Sequence, residues 1–264
     1  MADFQNKTVW ITGASSGIGE ALCRRFDREG ARLILSSRNR QELERVRSSL
    51  SRRDHIVLPL DLGVQAEFPD KVKQALAGAD RIDILINNGG VSQRSLALET
   101  NIEVDKRLFD INFFGAVGLT KALLPAMIAR GGGHIVVVSS VTGMYGTPYR
   151  SGYAASKHAL HGYFDSLRAE LHDKNVAVTI ICPGFIRTNI TMNALTADGT
   201  PLKAMDRGTS SGMDADAFAE KMLKAIAREK LQAHIGGRKE IFGIFMKRFF
   251  PGIFARMITR INVR

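Results

Sequence analysis

The chain has 264 residues, 45% of them hydrophobic and 24% charged, with a formal net charge of +11. That length supports one α/β domain with a full core and leaves too little for two comfortable domains. The excess charge is uneven: between Arg238 and Arg264 seven basic residues stand against one acid, Glu240, and no nucleic-acid-binding module accompanies them, which argues against nucleic acid as a partner.

The segment before the first strand, Met1 to Lys7, is short and polar, so neither a secretory leader nor an N-terminal membrane anchor is expected. No apolar stretch is expected to approach the roughly 20 residues of a membrane span. Cys23 falls in a helical pattern and Cys182 in a strand pattern, and two separate buried thiols fit a reducing cytoplasm.

Lys7 to Gly13 reads as a buried strand, and Ala21 to Phe26 as a helix. Between them runs Thr12-Gly13-Ala14-Ser15-Ser16-Gly17-Ile18-Gly19-Glu20. A glycine-rich turn from strand into helix lets backbone approach a pyrophosphate and aims unpaired N–H groups at its oxygens; a plain capped turn is the alternative. Ala31 to Ser37 is the second strand, and the residue past it selects the nucleotide. An acid there would bind a ribose 2′-hydroxyl and repel a 2′-phosphate. Ser37, Arg38, Asn39 and Arg40 hold the place instead, and the Arg38 guanidinium suits a 2′-phosphate unless it is only a solvated surface group. Gln41 to Leu50 follows as a charged helix.

His55 to Leu62 is the third strand, with Asp61 at its C-terminal end, able to accept from an adenine amino group or merely to cap the loop. Glu67 to Leu76 is a helix, and Ile82 to Asn88 a strand ending in Gly89-Gly90. A single helix from about Glu103 to Arg130 carries Asn112, where a structural hydrogen bond and a catalytic role explain the asparagine equally well. His134 to Ser140 is the fifth strand, Ser151 to His172 a helix, and Val176 to Cys182 the sixth strand, closed by Pro183-Gly184. On the Ser151–His172 helix, Tyr153 and Lys157 are four residues apart and share a face. A nearby ammonium lowers the pKa of a phenol, which then can give or take a proton near neutrality.

Strand and helix thus alternate six times, which predicts a single-domain, doubly wound parallel α/β sheet of the Rossmann type, about seven strands with right-handed crossovers and flanking helices. The polar clusters follow the C-terminal ends of strands and should meet in one crevice. Phe185 to Met213 is polar and aperiodic, as expected of a substrate lid. Asp214 to Arg228 is helical and Gln232 to Ile235 a short last strand. The expected organisation is a catalytic domain over residues 1–237, with the lid at 185–213, and a basic extension at 238–264.

Taken together, Thr12-Gly13-x3-Gly17-x-Gly19, Asn87-Asn88-Gly89-Gly90, Asn112, Ser140, Tyr153-x3-Lys157 and Pro183-Gly184 resemble the short-chain dehydrogenase/reductase family in its short single-domain form, over about residues 7–237. The stretch from Tyr153 through Thr188 to Gly199 is most similar to the dehydrogenase/reductase member 7 branch, related to 11β-hydroxysteroid dehydrogenases. One departure is Gly89, where the family more often has Ala before the glycine; little effect is expected. The resemblance implies an NADP(H)-dependent oxidoreductase interconverting a secondary alcohol and a carbonyl on an apolar, lipid- or steroid-like substrate. It implies Tyr153 as acid/base, Lys157 as its electrostatic partner and holder of the nicotinamide ribose, Ser140 as the clamp on the substrate oxygen, and Asn112 as holder of a water path. The implied cofactor-binding residues are Gly13, Ser15, Ser16, Gly17, Ile18, Gly19, Arg38, Asp61, Leu62, Asn88, Gly89, Gly90, Tyr153, Lys157, Pro183, Gly184, Ile186 and Thr188, with no metal. It also implies a homodimer or homotetramer.

In the tail, Ile253, Phe254, Met257, Ile258 and Ile261 fall on one helical face, and Arg256, Arg260 and Arg264 form a stripe. Such a basic amphipathic helix suits a membrane interface; packing over the pocket or on a second subunit are the alternatives. Two rival functions remain: a catalytically silent nucleotide-binding sensor or scaffold, and a peripheral membrane-associated binding protein.

Overall fold

The computed structural model describes residues 4–260. Seven parallel strands form one sheet in the order β3-β2-β1-β4-β5-β6-β7: β1 Thr8–Thr12, β2 Arg32–Ser36, β3 Ile56–Val57, β4 Ile84–Asn87, β5 Gly133–Val138, β6 Val176–Pro183 and β7 Gln232–Ile235. Successive side chains of a strand point to opposite faces, and a parallel sheet needs both faces covered. In β1, Val9 and Ile11 join the core under α1 (Gly17–Arg28) and α8 (Ala215–Ala227), while Trp10 between them joins the opposite core with α3 (Phe68–Ala79), α5 (Gly115–Ala129) and α6 (Ser151–Glu170). The expected doubly wound α/β sheet is therefore present, as a single domain. Strand order reverses between β1 and β4, so the crevice opens beyond their C-terminal ends.

Two elements differ from expectation. The third strand pairs as a ladder only at Ile56–Val57; beyond it Leu58 and Leu60 donate singly to Leu35 and Ser37, and Pro59 between them has no N–H to give. The long helix is interrupted: α4 (Ile102–Phe109) and α5 flank a wide π-type turn, Asp110–Phe114, which contains Asn112. By length and composition the run Ile102–Ala129 could also cross a membrane, contrary to the sequence reading, but Leu119, Leu123 and Met127 pack into the sheet core. That makes it a core helix of this domain.

The tail forms two helices, α9 (Arg238–Phe249) and α10 (Pro251–Ile258), where Pro251 starts the second. The apolar face of α10 turns inward: Phe254 is buried against Tyr145 with ring centroids 5.2 Å apart, and Met257 and Ile258 join them. Ile261 and Arg264 lie outside the described residues. What faces outward instead is Phe242, Phe245, Phe249, Phe250 and Ile253, each between 47% and 59% exposed.

Candidate active site

The glycine turn after β1 is held from beneath. Thr12 Oγ1 accepts from the backbone N–H groups of Asn88 and Gly89, both at 3.0 Å, and Asn88 Nδ2 donates to the Thr12 carbonyl at 2.9 Å. Gly13 has φ +68°, a left-handed conformation open to glycine, and a Cβ on Gly19 would stand 2.0 Å from the Gly13 oxygen. The turn and the first coil of α1 therefore close only with glycine at both positions. Ser16 precedes α1 without a side-chain cap, so the first N–H groups of the helix keep no capping partner and are free for an anion. Arg45, from α2 (Arg40–Ser48), donates to the Ser15 carbonyl at 3.2 Å and braces the turn's outer side.

Beyond β2, Asn39 is spent on capping α2, accepting from the Glu42 N–H at 3.2 Å, and Arg40 pairs with Glu44. Arg38 forms no hydrogen bond or ion pair among the described residues, and the buried Ser37 hydroxyl has no partner either. Asp61 Oδ1 accepts from the Gly63 N–H at 2.9 Å, so the loop-capping reading is realised, while Asp61 still borders the crevice.

Ser140 ends the β5 segment with its Oγ accepting from the N–H and the hydroxyl of Thr142, at 3.1 and 2.9 Å. Tyr153 and Lys157 lie on the buried face of α6, the Lys157 Nζ 5.8 Å from the Tyr153 ring centroid and donating to the Val138 carbonyl at 2.9 Å. Burial holds Lys157 down to about 8. Burial is also the largest influence on Tyr153 and pushes its phenol up; against it work the Arg150 charge, a hydrogen bond with Ser140 and the Arg94 charge. The sequence reading assigned that lowering influence to Lys157. In the protein alone the cations that supply it are Arg150 and Arg94.

Asn112 is buried and its side-chain amide is fully used. Oδ1 accepts from the Val91 N–H at 2.8 Å, and Nδ2 donates to the Val91 carbonyl at 2.9 Å and to Ser156 Oγ at 3.0 Å. This ties the π-type turn to the segment just after Gly90 and to α6.

These groups border a single cavity of about 750 Å³. Gly13, Ser15, Ser16, Gly17, Ile18, Arg38, Asp61, Leu62, Asn88, Gly89, Gly90, Ser140, Tyr153, Lys157, Pro183, Gly184, Ile186 and Thr188 all line it. Gly19 and Asn112 do not; they stand behind its wall. The segment 185–213 contributes much of one side, including Thr188, Ile190, Asn193 and Leu195. From the 144–150 loop only Arg150 reaches the lining, and no described residue of the tail does. The tail instead braces the root of that segment: Glu240 Oε1 accepts from the Phe185 N–H at 3.1 Å.

Sequence reasoning missed one cluster in the wall. Arg94, Arg150 and Asp206 are buried together, with Asp206 Oδ2 accepting from Arg94 Nε at 3.2 Å and from Arg150 Nη2 at 3.4 Å. The three come from separate segments, and none has a flanking pattern that would have singled it out.

The model of the family described as short chain dehydrogenase matches residues 7–199. The chain belongs to the short-chain dehydrogenase/reductase family. It is 43% identical over 264 residues to the dehydrogenase/reductase SDR family protein 7-like of Drosophila melanogaster, covering 98% of this chain and 81% of that protein. It is 39% identical over 263 residues to the dehydrogenase/reductase SDR family member 7B of Bos taurus, covering 97% and 81%. It therefore lies close to the member 7/7B branch. Among solved structures, a short-chain dehydrogenase from Streptomyces avermitilis superposes with a TM-score of 0.81 at 28% identity, covering 96% of each chain. A short-chain dehydrogenase/reductase from Burkholderia phymatum, in complex with NAD, has the same fold, with a TM-score of 0.84 at 23% identity, covering 100% of this chain and 98% of the other.

As a short-chain dehydrogenase/reductase the protein has the fold and catalytic architecture of an NAD(P)H-dependent oxidoreductase. Its own residues fit such a nucleotide: a backbone cradle closed by glycine, uncapped N–H groups at the start of α1, and polar groups beyond β2 that lack internal partners. The cavity volume falls in the range of small-molecule sites.

Proposed function

We propose that the protein is an NADP(H)-dependent oxidoreductase that interconverts a secondary alcohol and a carbonyl on an apolar, lipid- or steroid-like substrate. The observation that carries this reading is the convergence of Ser140, Tyr153 and Lys157 on one cavity with the glycine turn. When bound, the cofactor supplies or accepts the hydride. Ser140 holds the substrate oxygen, and the Tyr153 hydroxyl gives that oxygen a proton or removes one. Lys157 holds the nicotinamide ribose. Ile186 and Thr188 contact the carboxamide, and Leu62, Asn88, Gly89, Gly90, Pro183 and Gly184 complete the nucleotide wall. Asn112 holds a water that links Lys157 to solvent.

NADP(H) is favoured over NAD(H) because, among the described residues, Arg38 has no partner and Ser37 Oγ is unsatisfied, and because Ser37 to Arg40 just past β2 contain no acid. The segment 185–213 serves as the substrate lid. We further assign the protein to the cytoplasm as a homodimer or homotetramer, with peripheral contact to an anionic membrane through the exposed aromatic face of the tail. That face has Lys247, Arg248 and Arg256 beside it, the pairing of apolar and basic groups that suits an interface.

The test is a thermal-shift titration with NADPH and NADH side by side, followed by a carbonyl panel with the better nucleotide. A ligand that binds only the folded state stabilises it by about 2.7 kcal/mol at a hundred times its Kd. A large shift with NADPH and a small one with NADH, then NADPH consumption on apolar ketones, is the expected result. No shift with either would return the scaffold reading to first place.

A further inference from the structure

The Arg94–Asp206–Arg150 cluster has a charge imbalance next to the reacting group. Both guanidiniums are permanently charged, and one carboxylate answers them. All three side chains are more than nine-tenths buried, and Arg94 and Arg150 line the same cavity as Tyr153. Asp206 is saturated: besides the two arginines it accepts from Thr191 Oγ1 at 3.3 Å and from the Thr209 N–H at 2.6 Å. Arg150 is not, for its buried Nε has no partner. A buried cation without full compensation draws negative charge toward it.

We propose that Arg94 and Arg150, held by Asp206 of the lid segment, are positioning residues that stabilise the ionised form of the Tyr153 phenol, with Asp206 setting how much positive charge reaches it. The inference rests on the oxidoreductase reading above for its consequence, though not for its test. The geometry is tight. Arg150 precedes α6 by one residue, and its carbonyl accepts from the Ala154 N–H at 2.7 Å. The Tyr153 N–H donates to Gln93 Oε1 at 3.2 Å, next to Arg94 in the chain. The Tyr153 ring packs on Val104 and Leu108 of α4 and on Leu195 of the lid segment.

The other ionisable and polar groups facing Tyr153 do not replace this charge. On α6, the Lys157 Nζ stands over the ring, 5.8 Å from its centroid, and is engaged in donating to the Val138 carbonyl at 2.9 Å. From α4 come Asp105, whose carboxyl is held up by burial, and the exposed Arg107 at the cavity rim. After β5 come the neutral Ser140 and Tyr145, the latter's phenol pushed up to about 12 by burial. Because Asp206 belongs to the lid segment, any movement that withdraws it would change the charge felt by the phenol. Lid position and acid/base strength are thereby linked.

The test is a spectrophotometric titration of tyrosinate in the full-length protein without substrate, Tyr153 being isolated by subtracting the Tyr153→Phe version of each variant. Asp206→Asn should move the Tyr153 midpoint down, and Arg150→Gln should move it up, each by on the order of one pH unit. Charge-keeping Arg150→Lys should stay within a few tenths of a unit of wild type. Opposite shifts for the aspartate and arginine variants are what electrostatics predicts and what loosening of one structural latch does not. Shifts of the same sign, no shift, or equal shifts for Arg150→Gln and Arg150→Lys would overturn the proposal. Should Asp206→Asn or Arg150→Gln fail to fold, Arg94→Gln carries the same expectation as Arg150→Gln. A normal titration with no turnover on any carbonyl would count against the oxidoreductase reading and leave the electrostatic one standing.

Discussion

Asn112→Ala separates structure from chemistry at a position where the sequence leaves both open. The wild-type side chain satisfies the Val91 N–H, the Val91 carbonyl and Ser156 Oγ, with contacts of 2.8 to 3.0 Å. Alanine leaves these groups without their partner in a site that is 1% exposed. Each buried polar group deprived of its partner costs about 1–3 kcal/mol, and Ser156 Oγ, which also donates to the Tyr153 carbonyl at 2.8 Å, falls at the low end. The expected loss is about 3–5 kcal/mol, a large part of the roughly 5–15 kcal/mol that holds a domain together. Urea unfolding of wild type and variant measures it, and a double-mutant cycle with Ser156→Ala should return a coupling of about 1 kcal/mol. A loss below about 1 kcal/mol, with turnover abolished, would refute the structural assignment of the amide and restore a direct catalytic role.

Arg38→Ala should weaken NADPH binding by about 10- to 100-fold, as loss of a charge-assisted hydrogen bond does, and leave NADH untouched; equal losses for both nucleotides in a fluorescence titration would make Arg38 a mere surface group. Burial holds His134 and His161 down to about 4 from 6.5. Between those values the unfolded chain binds protons that the folded state refuses, so stability should fall as pH drops from 6.5 to 4 and level off below. The Tm–pH slope of His134→Gln should be visibly shallower than that of wild type in that window, and an unchanged slope would count against the assignment. Replacing Phe245 and Phe249 by Ser should abolish co-sedimentation with anionic vesicles at low salt while leaving turnover intact; wild-type protein that fails to co-sediment would remove the membrane contact from the account.

Much of the site was legible because its physics is local. Gly13 and Gly19 are dictated by a single tight turn, and Tyr153 and Lys157 by one helical repeat, so neighbours in sequence carry the information. The doubly wound sheet followed from alternation of strand and helix, and the crevice from the position of polar residues at strand ends. What escaped the reading depends on distant pairing. Arg94, Arg150 and Asp206 meet only when the turn after β4, the start of α6 and the segment 185–213 fold together. The π-type turn at Asp110–Phe114 is tied through Asn112 to Val91 and Ser156, partners that its local sequence does not reveal. In the tail, the apolar stripe through Phe254 was visible, but Tyr145 decides that it faces inward, leaving Phe242 and Phe245 outside. Burial likewise reversed the sign expected for the Tyr153 phenol, since it outweighs the nearby positive charges.

In the proposed reaction Tyr153 moves the proton while the rest of the chain holds the nucleotide. The most direct measurement compares wild type and Tyr153→Phe for NADPH turnover on a responsive ketone and for thermal stabilisation by NADPH. Turnover should be lost in the variant, with the NADPH-induced shift nearly unchanged. Turnover that survives the substitution, or nucleotide binding that disappears with it while the fold remains intact, would contradict it.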